Sequence, residues 1–341
     1  MLFDELQKKV WNSPDFVNLI EKTEKGENID VSGLDGGLLP FYLTLIVKEY
    51  KKRALLILPD NELSFWEEMY TQLGESLMVF PSWNIYPYEH KLPQLHRLGL
   101  RMRALFSIRN SSQSGQLIIA SYRALMEPTY SPKTVDSFRL NIKIGNEIPI
   151  EEIKKFLIAL GYSHKTRVEF LGDFAVRGGV VDFFSPAHND PIRLEFFGDR
   201  IESIRTFSAL TQRSLEKIEC ANILPVHEFV RDFWYGEELS EETIASTIRK
   251  GIKEMYPEKL LDELFARLKL DREIPGFQWF SVLFTPETVS IVEHLKPDTI
   301  VITRSSEELE ESLKNYIDEA ERYYNLEDRS NLPYPKPLEF Y

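Results

Sequence analysis

The sequence predicts an α/β protein in which a parallel sheet is interrupted by an inserted antiparallel α+β domain. Three observations predict it. Short apolar runs alternate with helical patterns through the first 139 residues. Between residues 140 and 225 short strand patterns crowd together around glycine-bearing turns. From Val226 onward helical patterns return, with one last buried-type strand.

In chain order, Leu2, Leu6, Val10, Phe16, Leu19 and Ile20 recur at near-helical spacing and predict an amphipathic helix over the first 30 residues. Ile29–Val31 reads as a short strand, Ser32–Gly37 as a glycine-rich turn, and Leu38–Tyr50 as a helix with Pro40 in its first turn, where proline is tolerated. Ala54–Leu58 is a buried strand closed by Pro59 and Asp60, and Glu62–Leu73 is the next helix. Leu77–Phe80 and Leu117–Ala120 are two more buried strands, with the helix Leu95–Ile108 between them. Strands alternating with helices predict a parallel sheet covered on both faces. After the helix Ile150–Leu160 come the strands Asp173–Val176, Val180–Phe184, Ile192–Phe197, Arg200–Phe207 and Glu216–Leu224, too close together for crossover connections. Helices follow at Ser240–Met255 and Glu258–Leu268, then the strand Thr299–Thr303 and the acidic helix Glu307–Tyr323. The expected divisions are 1–139, a first part of the α/β domain; 140–225, the insert; 226–330, the remainder; and 331–341, a proline-bearing linker.

At 341 residues the chain is long enough for two or three domains. Cys220 is the single cysteine, so an internal disulfide is excluded. The six histidines, His90, His96, His164, His188, His227 and His294, show no metal-ligand spacing, and no metal site is expected. The net charge of −13 is uneven, because residues 226–341 hold 14 basic and 25 acidic side chains. No basic stripe stands out, so tight duplex DNA binding is not expected. Trp83, Tyr86 and Tyr88 could stack on bases, but neighbouring prolines and the absence of a basic run favour packing. No signal peptide or membrane-length apolar run is visible, and a cytoplasmic location is expected.

The glycine-rich turn has the setting of a phosphate loop without its working parts. Such a loop reads G-x-x-x-x-G-K-[ST] between a strand and a helix; its backbone cradles phosphate, its lysine reaches the β and γ oxygens, and its hydroxyl ligates Mg²⁺. Here Gly33, Gly36 and Gly37 are followed by Leu38, Leu39 and Pro40 where glycine, lysine and a hydroxyl residue are needed. The strand Thr299–Thr303 leads into Arg304, and the Asp318–Glu319 pair falls inside a helical pattern, so the metal-holding acid is missing as well. These residues predict a degenerate P-loop NTPase-like (RecA-like) sheet with no catalytic residues, no ATP or Mg²⁺ cofactor in this segment, and no enzymatic activity. A plain strand–helix turn is the alternative, and it too predicts no ATPase.

The insert carries a different kind of site. Side chains alternate along a strand, so if Ile192, Leu194 and Phe196 face the core, Arg193, Glu195 and Phe197 face outward. The same alternation buries Phe174 and Val176 and exposes Arg177. Two arginines around an exposed phenylalanine have the composition of an interface hot spot. The alternative is that Phe197 packs under a loop and both arginines are ordinary solvated charges.

The run from Gly172 to Pro186 (GDFAVRGGVVDFFSP) and the run from Pro191 to Phe207 (PIRLEFFGDRIESIRTF) resemble the second domain shared by the excinuclease component UvrB and bacterial transcription-repair coupling factors. Residues 80–89 (FPSWNIYPYE) and 275–284 (PGFQWFSVLF), together with the degenerate loop, are similar to the coupling factors rather than to UvrB. The resemblance covers about residues 28–310. It implies a non-catalytic, UvrB-like amino-terminal module that recruits the excinuclease component UvrA to lesions where RNA polymerase has stalled, in nucleotide excision repair. The family's contact residues fall on Arg177, Arg193 and Phe197. RNA polymerase and DNA would be partners only through the family's downstream domains, which also hold its ATP-driven motor. An ATP-dependent helicase resembling UvrB is the competing reading.

Overall fold

The computed structural model describes residues 2–34, 38–48, 50–72, 77–89, 91–110, 115–228, 276–280 and 288–326. The amino-terminal helical pattern divides into α1 (Leu2–Trp11) and α2 (Pro14–Glu24). Pro14 cannot continue a helix from α1, whereas it suits the first turn of α2, and the Ser13 hydroxyl accepts the Phe16 N–H as an N-cap. Phe16 and Ile20 bury against Phe41, Leu45 and Ile46 of α3 (Leu38–Lys48). Residues 29–31 form no strand, contrary to expectation. Three residues with acidic Asp30 at their centre bury too little to hold a ladder, and Val31 is half exposed.

The chain continues through β1 (Arg53–Leu58), α4 (Leu63–Gln72), β2 (Met78–Phe80), α5 (Leu95–Asn110), β3 (Gln116–Ser121), α6 (Tyr122–Met126), β4 (Thr129–Tyr130) and α7 (Pro132–Ser137). Next come β5 (Leu140–Lys143), α8 (Ile150–Ala159), β6 (Ser163–His164), β7 (Asp173–Arg177), β8 (Val180–Phe183), β9 (Ile192–Phe197), β10 (Arg200–Phe207), β11 (Ser214–Ile218) and β12 (Cys220–Ile223). Beyond them come β13 (Thr288–Val289), β14 (Ile300–Thr303) and α9 (Ser306–Leu326), with short 3₁₀ turns at Phe277–Phe280 and Ile291–His294. The helices expected at 240–255 and 258–268, and the linker at 331–341, lie outside the described residues.

A four-stranded parallel sheet has the order β14-β1-β3-β2. Leu55, Ile57, Ile118 and Ala120 face Met102, Leu105 and Ile108 of α5. Ala54, Leu56, Leu58, Leu117 and Ile119 face Leu43 of α3 and Leu63, Trp66 and Tyr70 of α4. Burial on both faces is why β1 and β3 read as unbroken apolar runs rather than alternating ones.

In the insert, a six-stranded sheet has the order β11-β10-β9-β8-β7-β6, antiparallel except at its β6–β7 edge. One face packs Phe174, Val181, Phe183, Ile192, Leu194 and Ile204 against α8. The strand expected over residues 216–224 is two strands in two sheets: β11 pairs with β10, and after Glu219 the chain turns so that β12 pairs with β5. The β7–β8 and β9–β10 hairpins each close with two residues, Gly178-Gly179 and Gly198-Asp199, with the first glycine at φ +58° and +62°. A positive φ there matches the twist of the flanking strands, and glycine adopts it without strain.

Helix α5 joins the two sheets. The Arg103 guanidinium donates to the carbonyl of His188 at 2.7 Å and to Asn189 Oδ1 at 2.7 Å, both in the β8–β9 connection. Arg101 is wholly buried between two carboxylates, with Nη1 at 2.9 Å from Glu127 and Nε at 2.7 Å from Glu228, just beyond the last strand of the insert. The Trp83 backbone N–H donates to Glu127 and its indole N–H to Glu228, while the Phe80 ring lies 4.1 Å from the Arg101 guanidinium carbon. A buried charge needs this many partners, since an unpaired one would cost several kcal/mol. The latch fixes the insert against the parallel-sheet layer.

Candidate docking face

The sheet face turned away from α8 carries the sequence-predicted trio. Along β9, Ile192 and Leu194 are buried and Phe197 is 81 % exposed, as alternation requires. Arg177 and Phe197 each stand immediately before a turn glycine, so the two hairpins display them at the same end of the sheet. The reading in which Phe197 packs under a loop is excluded by its exposure.

The arginines differ: the Arg193 side chain is only 18 % exposed, whereas Arg177 is half exposed, and both bond one carboxylate. Asp182 of β8 pairs directly with Arg193 of β9 and with Ala175 of β7. The Asp182 carboxylate is wholly buried, and it accepts Arg193 Nε at 2.7 Å on Oδ1 and Arg193 Nη2 at 2.8 Å on Oδ2. Arg177, two residues along β7 from Ala175, reaches it diagonally, with Nη2 at 2.7 Å from Oδ2. Hydrogen bonding to Asp182 raises the Arg193 pKa above its ordinary value, so its charge is fixed at any physiological pH. The Phe207 ring lies 4.6 Å from the Arg193 guanidinium carbon and packs with Val168 and Ala175. Beside this cluster the Glu195 carboxylate accepts the Ser203 hydroxyl and pairs with Arg205.

Arg177, Arg193 and Phe197 lie on one face, as strand alternation predicts, and Asp182 and Phe207 join them there without having been expected. The signal for Asp182 was present: an acid between Val181 and Phe183 must face away from the core they enter, toward Arg193.

The glycine loop is described only in part. Gly33 has φ +80°, Leu38 is exposed, Leu39 packs partly against the α4-side core, and Pro40 is buried, while Gly36 and Gly37 lie outside the described residues. The Pro40 carbonyl accepts the hydroxyls of Thr44 at 2.9 Å and Tyr70 at 3.3 Å, so it serves packing. At the carboxyl end of β14, Arg304 pairs with Glu62. Trp83 and Tyr88 are wholly buried around Trp279, as the packing reading of these aromatics holds, whereas Tyr86 is partly exposed against Tyr323. Among the described residues, no helix is long and apolar enough to cross a membrane.

This face lies within residues 140–229, which match the model of the UvrB interaction domain. Over most of its length the chain is similar to transcription-repair-coupling factors, as the motifs at residues 80–89 and 275–284 implied. The coupling factor of Haemophilus influenzae is 26% identical over 85% of the chain, that of Escherichia coli 29% over 61%, and that of Mycobacterium tuberculosis 33% over 43%. The matched part is about a quarter or less of each relative's own length, at 24%, 18% and 12%.

Proposed function

We propose that this chain is a non-catalytic docking module that recruits the excinuclease component UvrA during transcription-coupled nucleotide excision repair. One observation supports the reading: exposed Phe197, half-exposed Arg177 and the largely buried Arg193, which shares Asp182 with Arg177, lie on one face of the segment that matches the UvrB interaction domain. Arginine and aromatic anchors of this kind dominate interface energetics, and truncating one costs at least about 2 kcal/mol, roughly a thirty-fold loss of affinity. RNA polymerase and DNA are reached through parts of the relatives that this chain does not span. In this reading the parallel sheet is a degenerate RecA-like motor domain, with Leu39 and Pro40 in the lysine and hydroxyl positions, and it holds neither ATP nor Mg²⁺.

The test is capture of purified UvrA by the immobilised chain. The parent retains UvrA, and the Arg193→Ala and Phe197→Ala variants, each with the circular dichroism spectrum of the parent, retain far less. Equal capture by all three overturns the site. The competing reading, a helicase with an unorthodox loop, requires saturable micromolar binding of a fluorescent ATP analogue with Mg²⁺; the docking reading requires none.

A further inference from the structure

We propose that Asp182 is the positioning residue of the docking face, a buried carboxylate that sets both arginines in their partner-ready geometry before any partner arrives. The inference rests on the docking reading above and adds a residue to it. Three hydrogen bonds of 2.7, 2.8 and 2.7 Å converge on one side chain with no solvent exposure. Arg193 is clamped at two nitrogens and backed by the Phe207 ring 4.6 Å away, so its plane is fixed, and Arg177 is drawn toward the same oxygen.

The arrangement has two consequences. A guanidinium carries five N–H donors, so after bonding Asp182 each arginine keeps donors for a partner. Long arginine side chains otherwise lose rotamer freedom on association, and a carboxylate that orders them in the free protein removes that penalty. Asp182 itself is wholly buried, so its effect on a partner passes through Arg177 and Arg193.

The test is a double-mutant cycle on affinity for UvrA. Asp182→Asn keeps the size but replaces one acceptor by a donor, and in the parent background it weakens binding by about tenfold. In the Arg177→Ala/Arg193→Ala background the same change has no further effect. An equal loss in both backgrounds, or no loss in the parent, overturns the inference while leaving the recruitment reading intact; absence of binding by the parent overturns both. A second measurement needs no variant. In the free chain labelled with ¹⁵N-arginine, the Arg193 Nε–H exchanges with water far more slowly than that of an exposed arginine such as Arg200. Equal exchange overturns the inference.

Discussion

Arg193 sits directly opposite Asp182 across the β8–β9 ladder and grips its buried carboxylate with two hydrogen bonds. The pairing follows from register. Val181 and Phe183 enter the core, so Asp182 must leave it, and the partner strand places Arg193 at the same height. A charge that would be costly alone becomes an ordered part of a surface.

Because the grip is bidentate, charge alone does not replace it. Arg193→Lys keeps one positive charge but cannot span both carboxylate oxygens. It lowers the free energy of unfolding by about 1–3 kcal/mol, since the carboxylate stays buried with fewer donors. Urea titration followed by circular dichroism measures this; unchanged stability contradicts the clamp.

The buried junction gives a pH dependence. One guanidinium, Arg101, faces two wholly buried carboxylates, and burial pushes Glu127 up to about 8 despite the opposing pull of Arg101. The native state therefore keeps a proton that the unfolded chain releases near its ordinary value of about 4.3. The native state binds more protons in that window, so this group's contribution to stability falls as pH rises through it. Glu127→Gln keeps the neutral shape and flattens that decline. Between about pH 5.5 and pH 8.5 the parent's melting midpoint should drop by several degrees more than the variant's. Parallel slopes contradict the assignment.

His188 works in the opposite sense. Burial, with Arg103 adding to it, lowers its pKa to about 4, and the neutral ring accepts the Asn222 N–H at Nε2, 3.0 Å away. Folding depresses this base, so its stabilisation is complete above the unfolded value of about 6.5 and is lost as pH falls toward 4. The ring resonances in a proton–carbon NMR titration should move with a midpoint near 4; a midpoint near 6.5 contradicts the burial.

Two glycines with similar backbones should respond differently. Gly115 precedes β3 with φ +93°, and a Cβ there would lie 2.4 Å from the Val47 carbonyl oxygen, whereas Gly33 has φ +80° with open space around it. Gly115→Ala should destabilise by more than about 2 kcal/mol, and Gly33→Ala by about 1 kcal/mol from backbone strain alone. Thermal denaturation of the two variants decides it, and equal losses contradict the close approach.

Where periodicity and burial coincide, the structure was legible in the sequence. Ile192–Phe197 and Arg200–Phe207 form strands with the expected bounds, and along Ile192–Phe197 Phe197 faces out as the alternation predicts, whereas bulges interrupt the pairing of β10. The amino-terminal helix was over-extended because the apolar spacing continues across Pro14, which starts a new helix instead of prolonging the first. Residues 29–31 look like a strand locally but have no ladder to join among the described residues. The single strand expected at 216–224 hid a change of partner, which depends on β5, some 80 residues earlier. The Arg101 latch was out of reach for the same reason, since Glu228 lies far along the chain from Arg101, whereas the outward direction of Asp182 was legible from Val181 and Phe183 on either side of it.

Hydrogen exchange of the chain, alone and with UvrA, tests the recruitment claim most directly. The account requires partner-dependent slowing at the two glycine hairpins, residues 177–180 and 197–200, with little change in β1, β3 and α9. Slowing in the parallel-sheet layer with both hairpins unchanged would contradict it.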